Sequence, residues 1–505
     1  MLTASKEIFA KYQDEALLAR IREYPDVSAM WAACVRDYAD LPAVIFDGVT
    51  HTYADLDRDA AAFRTVLKNA GLAAGDRVCL LAPNSYLFVK AYLAAVTMGV
   101  TAAILPAQLD ERSVFGCTMM FGAKAVVCHP DLEAKLSICK AKNVKTLSAA
   151  DTAEEGTPAV EGLGEDFPCV IMFTGGTTGK SKGALLSHGA VMQGTVNGCY
   201  GYSEVFNQRY MLLLPLSHVF GLIRNLMTSL YTGSALFICR NNKDMFRDIA
   251  VFRPTILVIV PALAEMALNL SRQFGRNMLG PDLRYIICGA AAVAPYLVKE
   301  YLKMGIGLCP GYGLTESANL VSGNPDFANR PDSVGLMYPN QEYKIVDGEL
   351  WLKGKNMMLG YVGDPAENAA AYEDGWFRTG DLVRFDEDGF LYITGRIKEV
   401  IILSNGENVS PAEVEARFNE LPIVQDSQVF EDVDESGRHI LALEVVPRMT
   451  ELKKIDTPDP IAYLTAQLEA VNAGLPGYWQ VNRITVRDSD FARTPSMKIV
   501  RYKKC

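Results

Sequence analysis

Apolar positions along this chain change their spacing repeatedly, and the spacing predicts the elements. Thr52-Tyr-Ala-Asp55 has the form of a helix capping box with Asp in the place of Glu or Gln, and Leu56, Ala60, Phe63 and Leu67 then recur at helical intervals until Gly71. The run Asp76-Arg-Val-Cys-Leu-Leu-Ala82, bounded by turn residues, predicts a buried strand. A long uncharged stretch, Ala91 to Leu109, is broken by Gly99, Pro106 and Gln108, so it reads as a buried helix followed by a buried strand and not as a membrane span. This alternation continues to about Pro339. It predicts parallel sheets with helices on their faces and a site on loops at the carboxyl ends of strands.

From about Gly348 the texture becomes turn-rich and β-like, as in Glu349-Leu-Trp-Leu352 and Gly389-Phe-Leu-Tyr-Ile393, which predicts a small β subdomain over about residues 340–394. A last unit begins near Arg396. It opens with a strand from Glu399 to Leu403 and a helix start at Ser410-Pro-Ala-Glu413, where serine caps, proline fits the first turn and glutamate completes the box. Gln428 to Val446 reads as a hairpin around Glu435-Ser-Gly437, and Ile461, Leu464, Leu468 and Val471 mark a helix ending at Gly474. The expected fold class is α/β, with a large N-terminal domain, residues 1–396, and a small α+β C-terminal domain, residues 397–505.

Composition narrows the function classes. Of 505 residues half are apolar and one fifth charged, and the net charge of -10 without a basic block argues against nucleic acid or an anionic membrane surface as partner. A polyanionic ligand therefore needs a local positive site. Eleven cysteines without a C-x-x-C pair read as reduced core thiols, and the N-terminus lacks a signal-peptide pattern, so a cytoplasmic location is expected.

Candidate chemistry begins where the apolar run Cys169-Val-Ile-Met-Phe173 enters Thr174-Gly-Gly-Thr-Thr-Gly-Lys-Ser-Lys-Gly183. Glycines let backbone N–H groups approach phosphate oxygens, threonine hydroxyls add donors, and lysine adds charge, which makes Thr174, Gly175, Gly176, Thr177, Thr178, Gly179 and Lys182 candidate phosphate ligands. Walker spacing fails by one residue, because Thr174 stands where a glycine is required.

Four further motifs follow in order: Gly311-Tyr-Gly-Leu-Thr-Glu-Ser317, Gly375-Trp-Phe-Arg-Thr-Gly-Asp381, Gly395-Arg-Ile-Lys398 and Thr494-Pro-Ser-Met-Lys-Ile-Val-Arg501. Together with the first loop they resemble the adenylate-forming superfamily of acyl-CoA synthetases, luciferases and peptide-synthetase adenylation domains, over about Thr52 to Arg501. The resemblance implies two helix-flanked sheets, a barrel-like β subdomain and a mobile C-terminal domain. It implies ATP, Mg2+ and coenzyme A as cofactors, and an acid:CoA ligase that works through an acyl-adenylate.

Residue by residue, the resemblance implies that Tyr312 and Gly313 lie beside the adenine, with Gly289, Ala290 and Ala291 flanking it on the other side. It implies that Thr315 binds the reacting phosphate, Glu316 helps hold Mg2+, and Asp381 and Arg396 contact the ribose. Lys498 would reach the substrate carboxylate and the α-phosphate. Lys398 would be the hinge, and Gly406 would let the pantetheine arm pass. The sequence departs from the common form at Gly175, where serine is usual, at Ser181, where proline is usual, and at Met497, where glycine is usual.

Leu214-Pro-Leu-Ser-His-Val-Phe-Gly-Leu222 resembles the acyl-pocket segment, placing His218 toward the nucleotide and Val219, Phe220 and Gly221 toward the acid. No aspartate follows to pair with a substrate ammonium, so the expected substrate is a small-molecule carboxylic acid without an α-amino group, aliphatic or aromatic. Three readings stay open: a CoA ligase, an enzyme that loads a carrier-protein pantetheine, and a non-catalytic nucleotide-binding relative. Homo-oligomerisation is also open.

Overall fold

The computed structural model describes residues 2–174, 182–403, 408–434, 439–493 and 499–501. Both halves of the first capping box form: Thr52 Oγ1 accepts from the Asp55 N–H at 3.1 Å, and Asp55 Oδ2 accepts from the Thr52 N–H at 3.0 Å. The helix they start spans Tyr53–Asn69, and Leu56, Ala60, Phe63 and Leu67 are all buried along one face. Satisfying the first-turn N–H groups holds this end against fraying. The stretch from Ala91 to Leu109 divides as expected, into the end of helix Tyr86–Thr97 and strand Thr101–Leu105.

Two large sheets result. The first runs in the order Gly360–Tyr361, Lys182–Ser187, Pro168–Thr174, Thr101–Leu105, Arg77–Leu81, Ala125–Cys128, Lys145–Ser148. It is parallel from Pro168–Thr174 onward, and its first two strands are antiparallel additions. The second contains a parallel run in the order Gly307–Tyr312, Tyr285–Cys288, Ile256–Ile259, Arg209–Leu212, Ala235–Ile238, Pro42–Phe46. Most positions in the central strands are apolar and buried, as in Ile256–Ile259 and Tyr285–Cys288, as parallel strands covered on both faces require.

The β-rich stretch does not make the expected barrel-like subdomain. Gly311 and Tyr312 pair onward with Gly323 and Ser322, and the antiparallel strands continue the second sheet through Gly335–Met337, Phe390–Arg396, Trp376–Phe385, Glu349–Gly354 and Gln341–Val346. The path ends on Leu2–Thr3, so it stays open among the described residues. The strand edges that a barrel would join to each other are instead taken by the neighbouring sheet at one side and by the chain start at the other.

The small C-terminal domain has a three-stranded sheet, Val424–Val433, His439–Pro447 and Arg483–Val486. Helices Pro411–Asn419 and Pro460–Ala473 pack on it through Val414, Phe418, Leu464 and Leu468. The hairpin tip expected at Glu435 to Gly437 lies outside the described residues. The box expected at Ser410 is not made: its hydroxyl donates to the Thr394 carbonyl at 2.6 Å, tying the helix start to the preceding domain. The strand expected over Glu399 to Leu403 shortens to Ile401–Ile402, and Glu399 sits in a 3-10 turn, held 3.1 Å from Arg501. Two further ion pairs join this domain to the large one, Arg448 to Glu265 at 2.9 Å and Glu451 to Arg272 at 2.7 Å.

Ten described cysteines are free and nine are buried, which fits the expectation of core thiols. Among the described residues no helix is long and apolar enough to cross a membrane.

Candidate active site

The centre of the site is a register pair. Strands Trp376–Phe385 and Phe390–Arg396 run antiparallel with Asp381 directly opposite Arg396. Arg396 Nε lies 2.5 Å from Asp381 Oδ1, and the Tyr312 hydroxyl donates to Asp381 Oδ2 at 2.5 Å. Asp381 is 2 % exposed, and the Thr379 hydroxyl accepts its backbone N–H. Burial works against the charge on Arg396, but Asp381 more than offsets it and raises the guanidinium pKa. Burial, then the Asp381 carboxylate, pushes the Tyr312 phenol up, so it remains an O–H donor. A carboxylate has about four acceptor sites, of which these two groups use two. The remainder suits a pair of neighbouring hydroxyls.

A second cluster lies where the two sheets meet. Glu316 sits in the 3-10 turn Thr315–Ser317, its carbonyl accepts the Met358 N–H at 2.7 Å, and its Oε1 accepts the Tyr361 hydroxyl at 2.7 Å. Tyr361 pairs with Ala184 in the strand that begins at Lys182, and the Lys182 ammonium lies 5.2 Å from the Tyr361 ring and 2.5 Å from Glu367 Oε2. Thr174 is buried at the end of its strand and is the register partner of Lys182. The ends of the phosphate-loop motif thus converge on Glu316. Gly175, Gly176, Thr177, Thr178 and Gly179 lie outside the described residues.

Close backbone approach explains two glycines. A methyl group on Gly313 would overlap the Asn319 carbonyl, and one on Gly289 would meet the Gly311 oxygen at 3.0 Å and the Phe220 ring at 3.6 Å. Ala290 holds φ +66, a left-handed conformation in the short turn it shares with Ala291 after strand Tyr285–Cys288. Gly289 and Gly311 therefore meet at the carboxyl ends of adjacent strands, with the Phe220 ring beside them.

His218 precedes a π-helical stretch, Phe220–Met227, and its Nδ1 accepts the Phe220 N–H at 3.2 Å. Val219 and Phe220 are buried. The Cβ direction of Gly221 points at the Pro215 carbonyl, so this turn has no room for a side chain there.

Lys398 is exposed in the turn Ile397–Glu399 at the junction with the small domain. Gly406 and Lys498 lie outside the described residues. The flanks of the Lys498 loop are held, however: Arg493 and Ile499 form an antiparallel bridge, and Arg501 makes a two-point contact with Glu415 at 2.7 and 2.6 Å.

Sequence reasoning missed Tyr361, Glu367, Glu349 and Arg224. Glu349 is buried, and its carboxylate accepts the Gly380 N–H at 2.8 Å and the Trp351 indole N–H at 2.8 Å, fixing the turn before Asp381. No motif marks these residues, since the contacts of Tyr361 with Glu316, Glu367 with Lys182 and Glu349 with Gly380 join distant parts of the chain.

A family model for AMP-binding enzymes matches residues 31–362, and one for the AMP-binding enzyme C-terminal domain matches residues 398–504. The chain is 28% identical over 443 residues to a feruloyl-CoA synthase of an Amycolatopsis species, covering 84% of this chain and 89% of that one. It is 30% identical over 435 residues to a long-chain-fatty-acid–CoA ligase of Mycobacterium tuberculosis, covering 80% and 85%. In fold it is similar to an anthranilate CoA ligase solved with anthranoyl-AMP, with a TM-score of 0.83 over 95% of this chain and 96% of that chain at 19% identity.

Proposed function

Because the chain belongs to the AMP-binding enzyme family, we propose that it is an ATP-dependent carboxylic acid:CoA ligase that works through an acyl-adenylate. The acid's carboxylate oxygen attacks the α-phosphorus of ATP and pyrophosphate leaves. The CoA thiolate then attacks the acyl carbon, forming the thioester as AMP departs. The observation that carries this reading is the Tyr312–Asp381–Arg396 cluster, which leaves carboxylate acceptors for the hydroxyls of a ribose.

In this reading Thr174, Thr177, Thr178 and Lys182 hold the phosphates, with Gly175, Gly176 and Gly179 giving the backbone room. Lys182 exchanges Glu367 for a phosphate, and Tyr361 keeps Glu316 oriented. Thr315 binds the reacting phosphate. Among the described residues no cluster of three or more His, Cys, Asp or Glu could hold a metal. A single carboxylate, Glu316, nevertheless suits Mg2+, which keeps phosphate oxygens and water as its other ligands and would neutralise phosphate charge. His218, Val219 and Phe220 border the acid, with Gly221 shaping the helix entry. The domains divide at residues 396 and 397, with the β-rich stretch over about 340–394 in the first. Rotation about Lys398 exchanges Lys498 for the loop that contains Gly406 between the half-reactions. The Arg448–Glu265 and Arg272–Glu451 pairs must part in that motion.

Acid-dependent exchange of pyrophosphate into ATP over a carboxylate panel, followed by thioester formation with CoA or a carrier protein, tests the proposal. Exchange with none of the acids would favour a non-catalytic nucleotide-binding relative, and transfer to the carrier alone would displace CoA as acceptor. Lys498→Ala is expected to lower exchange by about 10²- to 10³-fold, the scale of losing one charge that stabilises the transition state. Thioester formation from supplied acyl-adenylate should fall far less. Equal loss of both steps would remove Lys498 from the adenylation role.

A further inference from the structure

Arg224 is a charge buried in the interior of the large domain. It lies in the π-helical segment Phe220–Met227, is 1 % exposed, and two of its donor atoms, Nε and Nη1, have no hydrogen-bond partner. No carboxylate among the described residues pairs with it. Its charged neighbours of choice are replaced by phenols: the guanidinium lies 5.5 Å from the Tyr202 ring, and Tyr210 and Tyr338 are close enough to interact with it electrostatically. Burying a guanidinium without an anion costs several kcal/mol. A π-helical segment is itself rare in proteins and concentrates at functional sites.

Its position relates it to the acid. Phe220, at the start of the same helical segment, touches the Gly289 region at the nucleotide end, and Arg224 follows about one turn deeper. Arg224 acts on Cys309, which precedes Tyr312 by three residues on strand Gly307–Tyr312, about 10 Å along the strand. The Tyr338 hydroxyl lies over Gly323, the register partner of Gly311. One strand thus runs from the nucleotide end of the cleft to the guanidinium. An acid presenting its reacting carboxylate near Tyr312 and Gly313 would extend its far end toward Arg224.

We infer that Arg224 recognises a second carboxylate at the far end of the substrate, so that the enzyme activates one end of a dicarboxylic acid. This rests on the ligase reading above. A guanidinium donates to carboxylate oxygens through its N–H groups, and Nε and Nη1 are the two of Arg224 that lack a partner. Burial raises the pKa of the Tyr202, Tyr210 and Tyr338 phenols, so each stays neutral beside the guanidinium at neutral pH.

The test measures kcat/KM for pyrophosphate exchange with the full-length enzyme over straight-chain and aromatic dicarboxylates, each beside its half methyl ester and a monocarboxylate of equal length. The diacid of best length is expected to exceed its half ester by about 10²-fold or more, because the ester leaves the buried guanidinium unpaired. Arg224→Met should collapse that ratio toward one, mainly through KM. Thermal unfolding of the variant reports whether it folds, and the wild-type panel decides the matter without it. Half esters or monoacids activated as well as the diacids would overturn the inference while leaving the ligase reading intact. No exchange with any acid would sink the ligase reading, and the inference with it.

Discussion

Replacing Asp381 with alanine is expected to lower pyrophosphate exchange by about 10³-fold and to raise the KM for ATP. Asp381 is 2 % exposed and takes two short hydrogen bonds, from Tyr312 and Arg396. Alanine leaves a cation and a phenol facing each other without the anion between them. Breaking a buried ion pair costs about 3–5 kcal/mol, but the Arg396 side chain is 41 % exposed, so water takes part and the stability loss should be nearer about 1–3 kcal/mol. Folding therefore survives and the kinetic loss can be read. Asp381→Asn should keep most of the stability yet recover little activity, because the amide replaces one acceptor oxygen with a donor. An Asp381→Ala enzyme with unaltered KM for ATP would remove this cluster from nucleotide binding.

Gly313→Ala is expected to have a comparable effect through geometry alone. The added methyl would overlap the Asn319 carbonyl, whose residue is held by a 2.8 Å hydrogen bond from its N–H to Leu314 and adopts φ +81. Backbone cannot step aside cheaply, so the turn from Leu314 to Asn319 must open, displacing Thr315 and Glu316. Exchange activity should fall by about 10²-fold or more, since displacements of about 1 Å are enough to cost that. Gly305→Ala is the control. Unlike Gly313 it has positive φ, +75, but nothing lies within 4 Å of the added methyl, so it should cost only about 1 kcal/mol of stability with little loss of activity. A Gly313→Ala enzyme as active as Gly305→Ala would mean that the contact with Asn319 is relieved without displacing Thr315 and Glu316.

The two cases show where the sequence was legible. Gly313 sits in a motif readable by eye, yet the reason for it is a carbonyl six residues on that a folded turn brings over it. Asp381 and Arg396 belong to separate motifs, and their direct pairing follows from strand register. Lys182 was readable as a phosphate ligand, whereas its partners Glu367 and Tyr361 come from a stretch with no signal of its own.

Local pattern determined the helix Tyr53–Asn69 and its cap, the buried helix and strand within Ala91 to Leu109, the order of motifs and hence the family. Those features depend on residues within a few positions of each other, where backbone hydrogen bonding and the 3.6- and 2-residue periods act. Tertiary structure decided that the β-rich stretch extends an open sheet, that Ser410 bonds to Thr394 instead of capping its helix, and that Arg224 is buried among phenols without a carboxylate. Each of these is set by which distant group is near enough to satisfy an edge, a hydroxyl or a charge, and the spacing of residues along one chain does not contain that distance.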